Sequence, residues 1–341
     1  MAIPINGLTR FTGTLRGAAA SVSRALGIWL WVVLFAALFS MISPHFMSFL
    51  NLSNVTRQAS IFALMATGMT FVIISGGIDL SVGSIVSLTS AVFGVVWRMT
   101  DNLALSIVAG MMVGLLSGST VGVLVGFLEV PPFIATFGMM GIGAGIAFAV
   151  TPSSISGFPP GFEFLGNGHI LGVPFPVLIA AAIGVTFHLL LRKTRVGLHI
   201  LATGGSESSA LMAGINVRAR KLTAYMVNGA LASLAGIILC ARIRSSYPGI
   251  GKDLELDVIA MAVIGGASLV GGYGSVAGAL GGALFLTMIQ NLFNLIGVYP
   301  FLQKVITGGL IVVAVMANQS RRRRRVHSLG DTSQDLVQSR P

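Results

Sequence analysis

The chain has 341 residues, of which 54% are hydrophobic and only 9% are charged, and its mean hydropathy is +0.90. This composition excludes an ordinary soluble protein and predicts an all-α polytopic membrane protein. The formal net charge is +11, but the basic residues lie near the chain ends and in one loop, so membrane orientation explains them better than nucleic-acid binding. The lone cysteine, Cys240, excludes an intrachain disulfide and a cysteine-rich metal site.

Apolar runs predict about ten transmembrane helices. Residues 1–25 contain three arginines and no acidic residue, and the apolar run that follows approaches the ~20 residues of a full span without a small-residue cleavage site. We therefore expect a retained first helix rather than a signal peptide. The predicted spans are Leu26–Ile42, Ser60–Ser75, Val82–Trp97, Leu103–Leu128, Pro132–Val150, Ile170–Leu191, Leu222–Ala241, Val258–Gly272, Val276–Leu295 and Phe301–Ala317.

Charge placement predicts the orientation of these spans. A cytoplasmic N-terminus puts fifteen of the twenty-one Lys and Arg residues inside, and the predicted periplasmic loop Thr151–His169 has none. We expect both termini to be cytoplasmic, at the inner membrane. The predicted regions are an N-terminal segment (1–25), a transmembrane domain (26–317) with a cytoplasmic loop (192–221), and a basic tail (318–341) that we expect to be disordered.

A polar break interrupts the apolar sequence at residues 76–84, Gly-Gly-Ile-Asp-Leu-Ser-Val-Gly-Ser. Gly77 and Gly83 free the backbone from helical geometry, while Asp79 and Ser81 offer acceptors to the amides where a helix restarts. We interpret the stretch as a helix break with its own cap. An ordinary turn at the membrane surface explains this single stretch about as well.

Glycines recur at four-residue spacing in two spans, which predicts grooves where a neighbouring helix approaches closely. The fourth span has Gly110, Gly114, Gly118, Gly122 and Gly126, and the ninth has Gly274, Gly278 and Gly282. In addition, Asp79-Leu80 precedes the third span as Asp253-Leu254 precedes the eighth. An offset of five spans reverses orientation, so we expect two inverted-topology halves with discontinuous helices.

The cytoplasmic loop 192–221 predicts a short capped helix. Ser206 follows two glycines and precedes Glu207, Ala210 and, as the terminating glycine, Gly214. The chain has no phosphate-binding P-loop, because the nearest string, Gly249–Asp253, lacks both the spacing and the hydroxyl. We therefore expect ATP to be handled by a partner, and we predict no catalytic residue, metal site or cofactor.

Neutral polar side chains inside the spans are candidates for the path of a hydroxyl-rich solute, which needs neutral donors and acceptors. An aromatic ring could stack on a sugar face. The candidates are Phe133, Asn228, Gln290, Asn291 and Asn294. For each amide, interhelical hydrogen bonding is the commoner role, and we favour it.

Several motifs together resemble one family. The string GGIDLSVGS, Pro132–Thr136, Gly214–Val217 and Gly271–Ser275 are similar to motifs of the ribose-type permeases, the membrane subunits of bacterial ATP-binding-cassette importers for simple sugars. The resemblance implies a cytoplasmic ATPase docked on the helix at 206–214, a periplasmic sugar-binding protein and a second permease subunit. Ser208-Ser209 and Leu211 depart from the family pattern, which has Glu-Ala and often Arg there.

From these observations we predict a permease that translocates a monosaccharide, driven by a partner ATPase, and is not itself an enzyme. The alternative is a secondary carrier or facilitator. The absence of a central Asp, Glu, Lys or Arg from every predicted span argues against it. An integral-membrane enzyme is disfavoured by five scattered histidines and few carboxylates. The sequence leaves the substrate open among ribose, another pentose, a hexose, a deoxy-sugar and a polyol.

Overall fold

The computed structural model describes residues 27–299, 301–309, 312 and 316. The predicted N-terminal segment 1–25 and the basic tail 318–341 lie outside the described residues, as do 310, 311, 313–315 and 317 of the last predicted span. Within the described part, seven helices are long and apolar enough to cross a membrane, and a shorter apolar helix covers Gly27–Ile42. These helices confirm the predicted class, an all-α polytopic membrane protein.

The helices of the described part, in chain order, are α1 (Gly27–Ile42), α2 (Phe49–Ile74), α3 (Val82–Thr100), α4 (Leu103–Gly126), α5 (Pro132–Val150), α6 (Phe164–Asn167), α7 (Phe175–Lys193), α8 (Arg195–Gly205), α9 (Glu207–Met212), α10 (Val217–Ile243), α11 (Leu254–Ile264), α12 (Val276–Leu295) and α13 (301–309). Two short strands, β1 (His169–Ile170) and β2 (Val173–Pro174), pair antiparallel between α6 and α7, with His169 opposite Pro174.

The central helix is α2, which packs against α7, α8, α10, α11 and α12. Its last turns are completely buried, since Phe71 and Ile74 have no exposed surface. The helix begins at Phe49, eleven residues before the predicted span, because Ser48 caps it by accepting a hydrogen bond from the Asn51 N–H at 3.3 Å. The segment expected to be a connector is thus largely helical.

The predicted glycine groove of α4 is confirmed, and its partner is α10. A Cβ added at Gly114 would overlap the carbonyl oxygen of Gly229, and one added at Gly118 would overlap that of Tyr225. The backbones of the two helices are therefore in direct contact, which only glycine permits. The second glycine series makes the same kind of backbone contact on α12, where Gly278 lies against the carbonyl oxygen of Gly265.

The predicted eighth span, Val258–Gly272, is not a continuous helix. The helix in this region is α11, which has 11 residues, begins at Leu254 before the predicted span, and ends at Ile264. Gly266 then adopts a φ of +94° and Gly271 a φ of +92°, left-handed conformations that an L-residue with a side chain rarely adopts. The remaining residues up to Ser275 form a non-helical loop.

The loop predicted as Thr151–His169 is irregular but tied to the rest of the fold. Ile155 exchanges backbone hydrogen bonds of 2.8 Å with Ser246, beyond the end of α10. The predicted span that follows starts later than expected, because the β-hairpin comes first and α7 begins only at Phe175 after Pro174.

Candidate functional site

The polar segment 192–221 folds into the last turn of α7, the short helices α8 and α9, and the start of α10. Ser206 caps α9, since its hydroxyl oxygen accepts a hydrogen bond from the Ser209 N–H at 3.3 Å. Gly214 has a φ of +76°, and the Ile215 N–H donates to the Ala210 carbonyl oxygen at 3.0 Å, closing the helix as a glycine stop does. The predicted capped helix is confirmed, and its role stays a prediction.

The helix α9 has one face available to a partner. Ala210 is only 3% exposed and packs toward the rest of the chain. Leu211 and Met212 are 57% and 83% exposed on a segment rich in polar residues. Two adjacent apolar side chains of α9 are therefore accessible from outside the chain.

The first residue of α9 is linked to α10 by an ion pair. The Lys221 ammonium donates hydrogen bonds to both carboxylate oxygens of Glu207, at 2.8 and 2.9 Å. The Lys221 side chain is 20% exposed and that of Glu207 is 53% exposed. A side-chain contact therefore joins the start of α9 to the first turns of α10.

Three glycine pairs meet beside α9, and we call them the glycine junction: Gly76-Gly77, Gly204-Gly205 and Gly271-Gly272. The Gly272 N–H donates to the Ile74 carbonyl oxygen at 2.8 Å. A Cβ added at Gly204 would overlap that same oxygen, and one added at Gly271 would lie 3.0 Å from the Gly76 Cα. Because these glycines have no side chains, the backbones of three segments are in direct contact: the end of α8, the break after α2 and the loop after α11.

The helix break between α2 and α3 is held by Asp79, whose side chain is buried. Its Oδ1 accepts hydrogen bonds from the Ser81 N–H at 2.8 Å and from the Ser81 hydroxyl at 2.5 Å. Its Oδ2 accepts one from the Asn228 side-chain amide at 2.8 Å. The expectation that Ser81 caps α3 through its side chain is wrong, because that hydroxyl is engaged with Asp79.

The two motif glycines of the break permit close packing. A Cβ added at Gly77 would overlap the Tyr225 hydroxyl, and one added at Gly83 would overlap the carbonyl oxygen of Gly251. The break thus packs against α10, and the start of α3 against the segment that follows α10. Their backbone φ values are not in the left-handed region, so the requirement is for space.

The amides predicted as path candidates do not converge on one place. Asn228 lies at the break with Asp79, while the other three lie on α12: Gln290, Asn291 and Asn294. Their hydrogen-bond partners, in that order, are Asp257 on α11 (3.2 Å), Asn51 on α2 (2.9 Å) and Gln303 on α13 (2.9 Å). Hydrogen bonding between segments, the role we favoured, accounts for all of them.

Phe133 lies on the outer face of α5 and is 61% exposed. Its ring stacks on that of Phe137, with centroids 5.9 Å apart and planes 8° from parallel. Within a single copy of the chain it does not line an enclosed path.

Lys221 and Tyr225 belong to this site, although neither was among the predicted site residues. They stand four residues apart, with Asn228 three residues further on, so one helix face carries all three. That spacing was the available signal. The doubled glycines at 204 and 271 were a second signal, although nothing in the sequence says that they meet.

A scan against family models matches residues 51–315 to the family described as the branched-chain amino acid transport system permease component. The chain belongs to this permease family. The match covers the chain from the start of α2 to just before the last described residue, so it includes the break, the glycine junction and α9.

Individual relatives of the chain support the same family. The permease is 40% identical to the ribose import permease protein RbsC of Escherichia coli K12 over 290 residues, 84% of this chain and 90% of the relative. It is 39% identical to RbsC of Bacillus subtilis, over 88% and 94% of the two chains, and 33% identical to the L-arabinose permease protein AraH of Azospirillum brasilense, over 89% and 90%. No solved structure matches. The predicted resemblance to simple-sugar permeases is confirmed.

Proposed function

We propose that the permease is the membrane-spanning subunit of an ATP-binding-cassette importer that moves a monosaccharide, ribose or a similar sugar, across the bacterial inner membrane. Relatives named for ribose, L-arabinose and xylose transport support a simple sugar as substrate. Hydrolysis of ATP belongs to a partner ATPase, and a periplasmic binding protein delivers the sugar.

The glycine junction carries this proposal. In an importer driven by an external ATPase, the cytoplasmic contact must move helices inside the membrane domain. The α8–α9 segment presents Leu211 and Met212 outward for docking, and at its other face it touches the end of α2 through Gly204. Because packed interiors transmit displacement rather than absorb it, a push on α9 reaches the break between α2 and α3.

The docking role of α9 is tested by Leu211→Glu. A charge in the middle of the exposed apolar face should abolish binding to the ATPase, since burying an unpaired charge at an interface is strongly unfavourable. Leu171→Glu is the matched control, because Leu171 is 99% exposed in the β-hairpin, on the side that we assign to the periplasm. The measurement is co-purification of the ATPase with each variant.

Both variants should insert in the membrane and purify in equal amount. Loss of the ATPase with Leu211→Glu and retention with Leu171→Glu is the expected result. An ATPase that still binds Leu211→Glu permease at the wild-type ratio would overturn α9 as the docking helix.

Ten crossings with both termini in the cytoplasm remain our proposal for the topology. The seven long helices, α1 and the start of α13 supply nine of these crossings. The tenth is formed by α11 together with its loop. The chain leaves α10 at Ile243, yet returns at Gly271 to contact Gly204 near the start of α10. This return supports a further crossing between these residues.

Two inverted halves are also part of the proposal. The start of α3 and the segment before α11 are in contact, since Gly83 packs against Gly251. Asp79 and Asp253, which precede corresponding helices of the two halves, differ in environment, however. Asp79 is buried, whereas Asp253 is exposed and accepts a hydrogen bond of 2.5 Å from Lys304, which lowers the pKa of its carboxyl below the ordinary value.

A second permease subunit completes the proposed transport path. On α5, Cβ atoms added at Gly138, Gly141 or Gly145 would meet nothing within 4 Å, so this helix presents a bare glycine face. Such a face favours close helix association in a membrane. Phe133 lies on the same helix and would line a path between two copies.

The ATPase-independent carrier has one observation in its favour. The predicted spans hold no central ionisable group, which disfavours such a carrier. In the structure, however, Asp79 is buried beside α10. Buried carboxylates often mark ion-coupled transport. An ATP requirement for uptake separates the two functions.

A further inference from the structure

Three polar side chains near the start of α10 lie in a line on one face of the helix, between α9 and the helix break. Lys221 binds Glu207, the first residue of α9. Asn228 donates to Asp79 in the break at 2.8 Å. Between them, the Tyr225 hydroxyl lies 3.4 Å from the Ile78 carbonyl oxygen. Offsets of four and three residues keep all three side chains on one face of the helix.

The break end of this line is fixed firmly. A buried carboxylate is tolerated only when its oxygens are hydrogen-bonded, and Asp79 has Ser81 on one oxygen and Asn228 on the other. None of the ion pairs within the described residues includes Asp79. Asn228 is therefore the link between this carboxylate and α10.

An open pocket lies beside the line. It has a volume of about 210 Å³ and is bordered by Gly76, Gly77, Glu207, Lys221 and Tyr225. The break is therefore not closely packed on this side.

We propose that Lys221 and Asn228 are positioning residues that transmit the movement of α9 to the helix break, with α10 as the rigid element between them. The inference rests on the proposed coupling role of α9. It adds a route through side chains to the backbone contact at the glycine junction, and it assigns Asp79 to the receiving end.

The test exchanges the partners at each end of the line. Asn228→Asp sets a second carboxylate against Asp79, and adding Asp79→Asn restores one carboxylate and one amide across the same contact. Lys221→Glu sets two carboxylates together, and adding Glu207→Lys restores the pair reversed. For each assembled importer, the sugar taken up per ATP hydrolysed is measured in proteoliposomes, together with the amount of bound ATPase.

Each single variant should keep its ATPase but lose about tenfold or more in sugar per ATP, equivalent to about 1.4 kcal/mol of coupling, and each double variant should recover most of it. A merely structural role predicts fewer assembled importers, but an unchanged ratio of sugar to ATP in those that assemble. If Asn228→Asp fails to insert in the membrane, the Glu207–Lys221 exchange still tests the inference. Exposed ion pairs contribute little to folding, so its variants should insert.

An unchanged ratio in Lys221→Glu, or a double variant no better than its single, would overturn the inference. That outcome leaves the coupling role of α9 intact as long as Leu211→Glu still loses the ATPase. Retention of the ATPase by Leu211→Glu would remove the coupling role itself.

Discussion

At the scale of single residues, glycines allow the closest contacts between the helices of this permease. The four-residue spacing on α4 predicted a groove, because regular spacing on a helix is a local property. The identity of the partner, α10, is a tertiary fact that the spacing does not contain. The same holds for Asp79 and Asn228: an acceptor role was predicted for the first and interhelical hydrogen bonding was favoured for the second, but the sequence did not show that they are partners.

The groove gives a direct prediction for Gly118. A methyl group there would overlap the Tyr225 carbonyl oxygen, and a backbone atom cannot rotate away. We expect Gly118→Ala to lower the stability in detergent by about 1–3 kcal/mol, although alanine is the better helix former. Thermal unfolding measures this.

Leu116→Ala is the control, since Leu116 is on the same helix and 60% exposed. Equal melting temperatures for the two variants would mean that α4 and α10 are not in backbone contact.

At the scale of elements, the breaks were predicted better than the helices they separate. Residues 76–84 and the Ser206 cap were found because glycine and serine act through local geometry. The eighth span was predicted too long, since apolar composition continues to Leu269 and Val270 while the glycines after Ile264 end the helix. The meeting of three glycine pairs escaped prediction because their separation in sequence exceeds 60 residues on each side.

The glycine junction predicts opposite results at two adjacent positions. Gly204→Ala would force the end of α8 away from Ile74, whereas a Cβ at Gly205 would come no closer than 4.0 Å to Gly272. Both residues are in the last turn of α8, so helix propensity changes equally. We expect Gly204→Ala to reduce ATP-driven sugar uptake by about tenfold, a change equivalent to about 1.4 kcal/mol, and Gly205→Ala to change it little.

The measurement is initial uptake of radiolabelled sugar at equal amounts of assembled importer. Equal uptake by the two variants would show that the contact with Ile74 plays no part in transport.

At the scale of the whole molecule, composition and charge placement were enough for the membrane class but not for the arrangement of the halves. α2 packs against α7, α8, α10, α11 and α12, although the sequence presented it as one span among ten. The orientation is still a prediction, and it decides which surface meets the ATPase.

Orientation can be measured with single cysteines in a Cys240→Ser background. Ser156 is exposed in the loop that we assign to the periplasm, and Ser208 is exposed on α9. In intact spheroplasts an impermeant thiol reagent should label Ser156→Cys and not Ser208→Cys. The reverse pattern would invert the topology and place α9 outside the cell.

The central claim is that this permease moves a sugar only when a partner ATPase drives it. The most direct measurement is uptake of radiolabelled ribose, and of arabinose and xylose, into proteoliposomes that contain the permease, its ATPase and the binding protein. We predict uptake against a gradient that requires hydrolysable ATP inside and stops when the ATPase is omitted. Accumulation of the sugar without ATP or without the ATPase would contradict the account and establish a carrier instead.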